Sequence, residues 1–142
     1  MQRHTLQRQA VTDALEHSGQ VLSASQILAW AQAEAPSLNL STVYRQIKAL
    51  QEEQQIVKVE LPGQPPRFEA LCRDAHAARP GHHHHYFHCT DCDGVYPIHA
   101  CPGEIDHLAP RGFKVSSHDL TLRGRCANCV AGLGHLRSER TR

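Results

Sequence analysis

No apolar run in this 142-residue sequence approaches the roughly 18 residues that a membrane-crossing helix needs. Nothing at its start has the zones of a secretory signal either, so a cytoplasmic chain with reduced thiols is expected. Charge of one sign is also missing. The formal net charge is +1, and residues 1–71 carry six Lys/Arg against seven Asp/Glu. A case for nucleic acid must therefore rest on motif rather than on net charge. No HExxH helix and no nucleophile elbow is present, so a hydrolase using Glu104 as base lacks its signature. Neither CxxC pair has the strand–helix–strand setting of a redox dithiol. Neither an enzyme nor a small-molecule substrate is expected.

Residues 1–71 lack cysteine altogether, and beyond them the composition changes. Nine of the twelve histidines lie between His76 and His118, and all six cysteines fall from Cys72 onward. In a cytosolic chain such a set points to metal rather than to disulfides. The break predicts an α+β chain of two units: 1–71, a hinge over 72–81, a metal-binding unit over 82–131, and a polar tail over 132–142.

Three apolar-periodic segments with start signals fill residues 5–52. Thr5 is the expected cap of the first, which Ser18-Gly19 stops. Ser23 with Gln26 reads as a capping box for the second, and Ser41 as the cap of the third. Val57–Leu61 alternates as a strand, Pro62–Pro66 turns, and Arg67–Leu71 returns. Three short helices and a hairpin make a winged helix-turn-helix, whose third helix enters the DNA major groove. Ser41, Thr42, Tyr44, Arg45 and Lys48 gather at the start of that helix, where base edges and phosphates are met. Arg3 and Arg8 offer backbone or minor-groove contacts. Any one of these arginines alone would read as a solvated surface charge.

The second half carries the stronger signal. Cys89-x-x-Cys92 and Cys126-x-x-Cys129 each present two sulfurs to one point. Together they complete a closed tetrahedral shell for zinc, structural rather than catalytic. The run His82-His83-His84-His85-Tyr86-Phe87-His88 enters Cys89 directly. As a strand it puts His83 and His85 on one face and His82, His84 and His88 on the other, so it can feed two sites. Cys101-Pro102 opens a short helix that Gly112 ends, and 113–122 alternates as a long strand. A zinc store using the His run is the rival from another class; it predicts graded metal uptake and no sequence-specific DNA binding.

Ser41-Thr42-Val43-Tyr44-Arg45, the His run into the first CxxC, His118 and the second CxxC together resemble the ferric uptake regulator family of bacterial metalloregulators. The resemblance covers almost the whole chain. It implies an N-terminal winged helix, a C-terminal α/β dimerisation domain stapled by Zn²⁺, and a homodimer on double-stranded operator DNA when metal is present. It also implies a structural site of Cys89, Cys92, Cys126 and Cys129, and a second site of His83, His85, Cys101 and His118. A third, at the hinge, would use Cys72 with His82 and His84. Glu60, Glu69, His76, His88 and His99 are further candidates for it, because Tyr86 and Val21 stand where many members have ligand histidines. Many members have Glu where this chain has Cys101. Cys72 and Cys101 tilt the resemblance toward the zinc uptake regulator subgroup, a zinc-responsive repressor of zinc homeostasis genes. An iron- or manganese-responsive repressor is the alternative.

Overall fold

The structure is a computed structural model and describes residues 2–73, 83–101, 103 and 105–133, with side chains from Thr5 onward. Arg3's side chain, His76, His82, Glu104 and the tail from residue 134 lie outside the described residues.

Helix α1 spans Gln2–His17, so the helix begins before the expected cap, Thr5. Ser18 and Gly19, the latter at φ +65°, end it. Its Ala10, Val11, Ala14 and Leu15 face inward, while Leu6 at the same period stays half exposed. A two-residue strand, β1 (Leu22–Ser23), follows, too short for sequence periodicity to show. Helix α2 (Ala24–Ala31) starts at the expected capping box: Gln26 N–H donates to Ser23 Oγ, and Ser23 N–H donates to Gln26 Oε1.

Helix α3 (Leu40–Glu52) is capped by Asn39, whose Oδ1 accepts from Thr42 N–H at 2.9 Å. The expected cap, Ser41, is instead a residue inside the first turn. Asparagine and serine cap about equally well, and here the earlier of the two meets the free N–H groups. Gln54, at φ +57°, turns the chain out of α3. Strands β2 (Ile56–Val59) and β3 (Arg67–Ala70) then pair antiparallel, with β1 on the far side of β3. Val11, Ile27 and Val43, one from each helix, have no exposed surface and knit the three helices into one core. Fully burying such a side chain stabilises by about 1.5–3 kcal/mol.

The second sheet has β4 (His85–Cys89) in the centre. It pairs antiparallel with β5 (Val95–Ile98) and parallel with β6 (Thr121–Gly124). The long strand expected over 113–122 is reduced to β6, because the chain from Phe113 to Leu120 pairs only at its end, where Tyr86 N–H reaches Leu120 C=O. The expected helix after Cys101 is, among the described residues, a single 3₁₀ turn at Asp106–Leu108. A one-turn helix, α4 (Ala127–Val130), closes the second knuckle.

The two sheets meet through an apolar cluster of Val21, Val59, Leu61 and Val95, with Tyr86 packed against it. Val21 N–H donates to Val95 C=O at 2.8 Å across this seam.

Candidate metal centres and nucleic-acid interface

Cys89 ends β4 and Cys92 closes the turn after it. Cys126 precedes α4 and Cys129 lies inside it. The parallel β4–β6 pairing sets Cys89 opposite Gly124, which brings the second knuckle beside the first. Cys89 and Cys129 sulfurs are 3.7 Å apart, and those of Cys92 and Cys126 3.8 Å. A tetrahedron with Zn–S near 2.3 Å has edges of about 3.8 Å, so the four sulfurs fit such an ion. Burial opposes ionisation of these thiols and helps push Cys129 up to about 12. It works against Cys89 too, but backbone N–H groups at Cys92, Cys126 and Asp91 outweigh it and hold that thiol at about 6. Four thiolates this close repel one another strongly; a divalent cation is what allows all four to be charged.

His83, His85, Cys101 and His118, the set that the family resemblance implied, form a second cluster. Nε2 of His83, His85 and His118 are mutually 3.2 Å apart, and Cys101 Sγ is 3.4 Å from His85 and 3.2 Å from His118. Tetrahedral edges for imidazole nitrogens about 2.0 Å from zinc are about 3.3 Å, so this set fits as well. Burial, then the neighbouring His83 and His118, keep His85 below the ordinary imidazole value. The neutral ring that results is the ligand form.

Cys72, His84 and His99 form a third cluster, their donor atoms within 4.8 Å of one another. Cys72 follows β3, whereas His84 precedes β4 and His99 follows β5, so this cluster bridges the two sheets. Here the structure brings in His99, the sequence candidate that the strand-face argument did not single out. The signal was indirect: β5 pairs back along β4, setting Ile98 opposite His85. Glu69 accepts from His84 Nδ1 at 3.2 Å, the carboxylate–imidazole contact that orients a ligand histidine. Tyr86 O–H donates to Glu69 at 2.6 Å, and burial, then that carboxylate, raise its phenol far above the usual range. Of the other hinge candidates among the described residues, His88 and Glu60 have partners outside this cluster. His88 contacts Asp93 at 2.6 Å, and exposed Glu60 pairs with Lys58.

On α3, Ser41, Tyr44, Arg45 and Lys48 are exposed on one face, with Tyr44 54% accessible. Thr42, expected to touch DNA, is buried instead, and its Oγ accepts from Arg45 Nη2 at 3.0 Å. Arg8 is held by Glu53 at the end of α3, a link between α1 and α3 that gives its guanidinium an intramolecular partner.

A family model described as the ferric uptake regulator family matches residues 2–123. The peroxide operon regulator of Bacillus subtilis (strain 168) is 28% identical over 137 residues, 94% of this chain and 88% of that protein. Among solved structures, the ferric uptake regulator of Helicobacter pylori, described as having three functional metal-binding sites, is 27% identical. It covers 87% of this chain and 79% of its own, with a TM-score of 0.56. A zinc uptake regulator complexed with zinc and DNA is 25% identical, covering 89% and 82%, with a TM-score of 0.53. No helix among the described residues is long and apolar enough to cross a membrane. With a winged helix and three cysteine-containing clusters among the described residues, and a family model spanning nearly all of the chain, the chain belongs to the ferric uptake regulator family, metal-responsive transcription regulators that bind operator DNA as dimers and are not enzymes.

Proposed function

We propose that the chain is a zinc-responsive repressor that binds operator DNA as a metal-loaded homodimer and controls zinc uptake and homeostasis genes. The observation that carries the choice of metal is a cysteine sulfur in both histidine clusters that lie beside the four-cysteine site: Cys101 with three imidazoles, and Cys72 with two. Soft sulfur donors favour Zn²⁺ over Mn²⁺ or Fe²⁺. The related regulator complexed with zinc and DNA supports the same reading.

In this reading Cys89, Cys92, Cys126 and Cys129 hold structural zinc. His83, His85, Cys101 and His118 hold a second ion, and Cys72, His84 and His99 a third with His82 as a further candidate. Residues 1–71 bind DNA through Ser41, Tyr44, Arg45 and Lys48, with Thr42 bracing Arg45 and with Arg3 and Arg8 near the backbone. Residues 82–131 dimerise, and 72–81 form the hinge. Because Cys72 lies on one side of the seam and His84 and His99 on the other, filling that cluster favours one placement of the two halves. That placement would set the recognition helices about 34 Å apart on successive major-groove faces.

Iron or manganese response is the second reading, favoured by likeness to the H. pylori ferric regulator. Footprinting on promoter DNA across buffered zinc, manganese and anaerobic ferrous iron separates them. Zinc should give protection at the lowest free-metal concentration. Protection by iron or manganese alone would transfer the protein to the second reading.

A further inference from the structure

Arg67, at the start of β3, is the largest fully buried side chain among the described residues, 1% exposed. An isolated guanidinium cannot be buried cheaply, so its partners matter. On its own side of the seam it donates to Val21 C=O at 3.3 Å and to Gln26 Oε1 at 3.0 Å. Gln26 is the residue that closes the capping box of α2, the helix packed against α3. Across the seam Arg67 donates to Asp93 twice: to its C=O at 3.1 Å and to its Oδ2 at 3.0 Å. Among the described residues Asp93 supplies the carboxylate paired with this cation.

Asp93 directly follows Cys92 and sits at φ +61°, one of two non-glycine residues in the left-handed region among those described. A side chain there costs conformational energy that glycine would avoid, and such positions persist where surrounding contacts hold them. At Gly94, next in the chain, an added Cβ would lie 3.1 Å from the Tyr96 ring and 3.3 Å from Cys92 Sγ, so the knuckle leaves little room to shift. The other carboxylate oxygen of Asp93 meets His88 on β4 at 2.6 Å.

We infer that Asp93 is an interdomain positioning residue. Through Arg67 it fixes the wing and the start of α2 to the Cys89–Cys92 knuckle, so the four-cysteine site helps set where the recognition helix lies. The inference rests on the family's DNA binding and not on which metal fills the other clusters.

Asp93→Gly is the direct test, because glycine suits the left-handed backbone and the side chain is 61% exposed, so the variant should fold. Asp93→Asn tolerates the same backbone and keeps an acceptor without the charge. The zinc-loaded proteins are compared for metal content, oligomeric state, amide exchange and affinity for a duplex that the wild type selects from a random pool. Asp93→Gly should keep its zinc and its dimer, exchange faster at Val21–Gln26 and in β3, and bind the duplex at least tenfold more weakly. Asp93→Asn should fall between the two. A merely stabilising ion pair would lower the melting temperature and leave duplex affinity of the folded protein unchanged, which would overturn the inference. Loss of metal from the four-cysteine site together with affinity would overturn it too. The exchange measurement stands without DNA, so a wild type that selects no duplex refutes the DNA-binding reading separately.

Discussion

Arg45 and Tyr44 project from the first turns of α3, exposed and next to one another, while Thr42 turns inward to hold Arg45. Replacing Arg45 with Ala should leave zinc content and dimerisation intact and weaken operator binding by about 1–3 kcal/mol per half-site, the worth of a good bidentate base contact. Tyr44→Ala should act in the same direction. Titration of operator DNA checks both, and unchanged affinity in the pair of variants would move the recognition surface elsewhere. Cys72 makes a sharper case. If it ligates at the seam, Cys72→Ala shifts the free zinc needed for half-maximal operator binding upward by at least the roughly 10–100-fold that losing an outer-shell partner costs. The fully loaded affinity is then partly recovered. An unmoved midpoint would make Cys72 a small half-buried apolar residue and leave the cluster around Cys101 as the sensor.

Among elements, the two knuckles decide whether the second sheet exists at all. Among the described residues the sheet has three strands of four or five residues, and Cys89, Cys126 and Cys129 are packed with Phe87 and Tyr96. Structural zinc contributes roughly 10–16 kcal/mol in small zinc peptides, at or above the stability of a whole domain. Cys89→Ser or Cys126→Ser, or exhaustive chelation, should therefore unfold this sheet and abolish dimerisation, while the α1–α3 core keeps its helical signal. Far-ultraviolet dichroism and sedimentation read the two effects apart. A cooperative, thermally stable dimer with one fewer zinc would count against the assignment. Helix α2 and the β2–β3 hairpin follow from local chemistry, a capping box and turn residues, and the sequence shows both. The segment 113–120 carries the same alternation without becoming a strand, because alternation reports a preference and a strand also needs a neighbour along its length.

For the molecule as a whole, the seam gathers three kinds of contact between the two halves. Val21 meets Val95, Arg67 meets Asp93, and Cys72 meets His84 and His99 within one contact surface. A metal that favours the DNA-competent placement must, by linkage, be bound more tightly when DNA is present. The zinc affinity measured with and without operator should therefore differ by the same factor by which zinc changes operator affinity. Unequal factors would mean that some zinc binds without bearing on the placement.

Sequence alone determined which side chains able to bind metal the chain carries. Paired thiols at CxxC spacing, histidines at alternate positions and a third helix with a polar start are local patterns, set by short-range geometry. Tertiary structure decided which ligands meet. His99 joins Cys72 because β5 folds back along β4, and Thr42 is withdrawn because α3 turns that face to the core. The link from Asp93 to Arg67 spans 26 residues. Such contacts depend on how two sheets pack, and no periodicity along the chain records it.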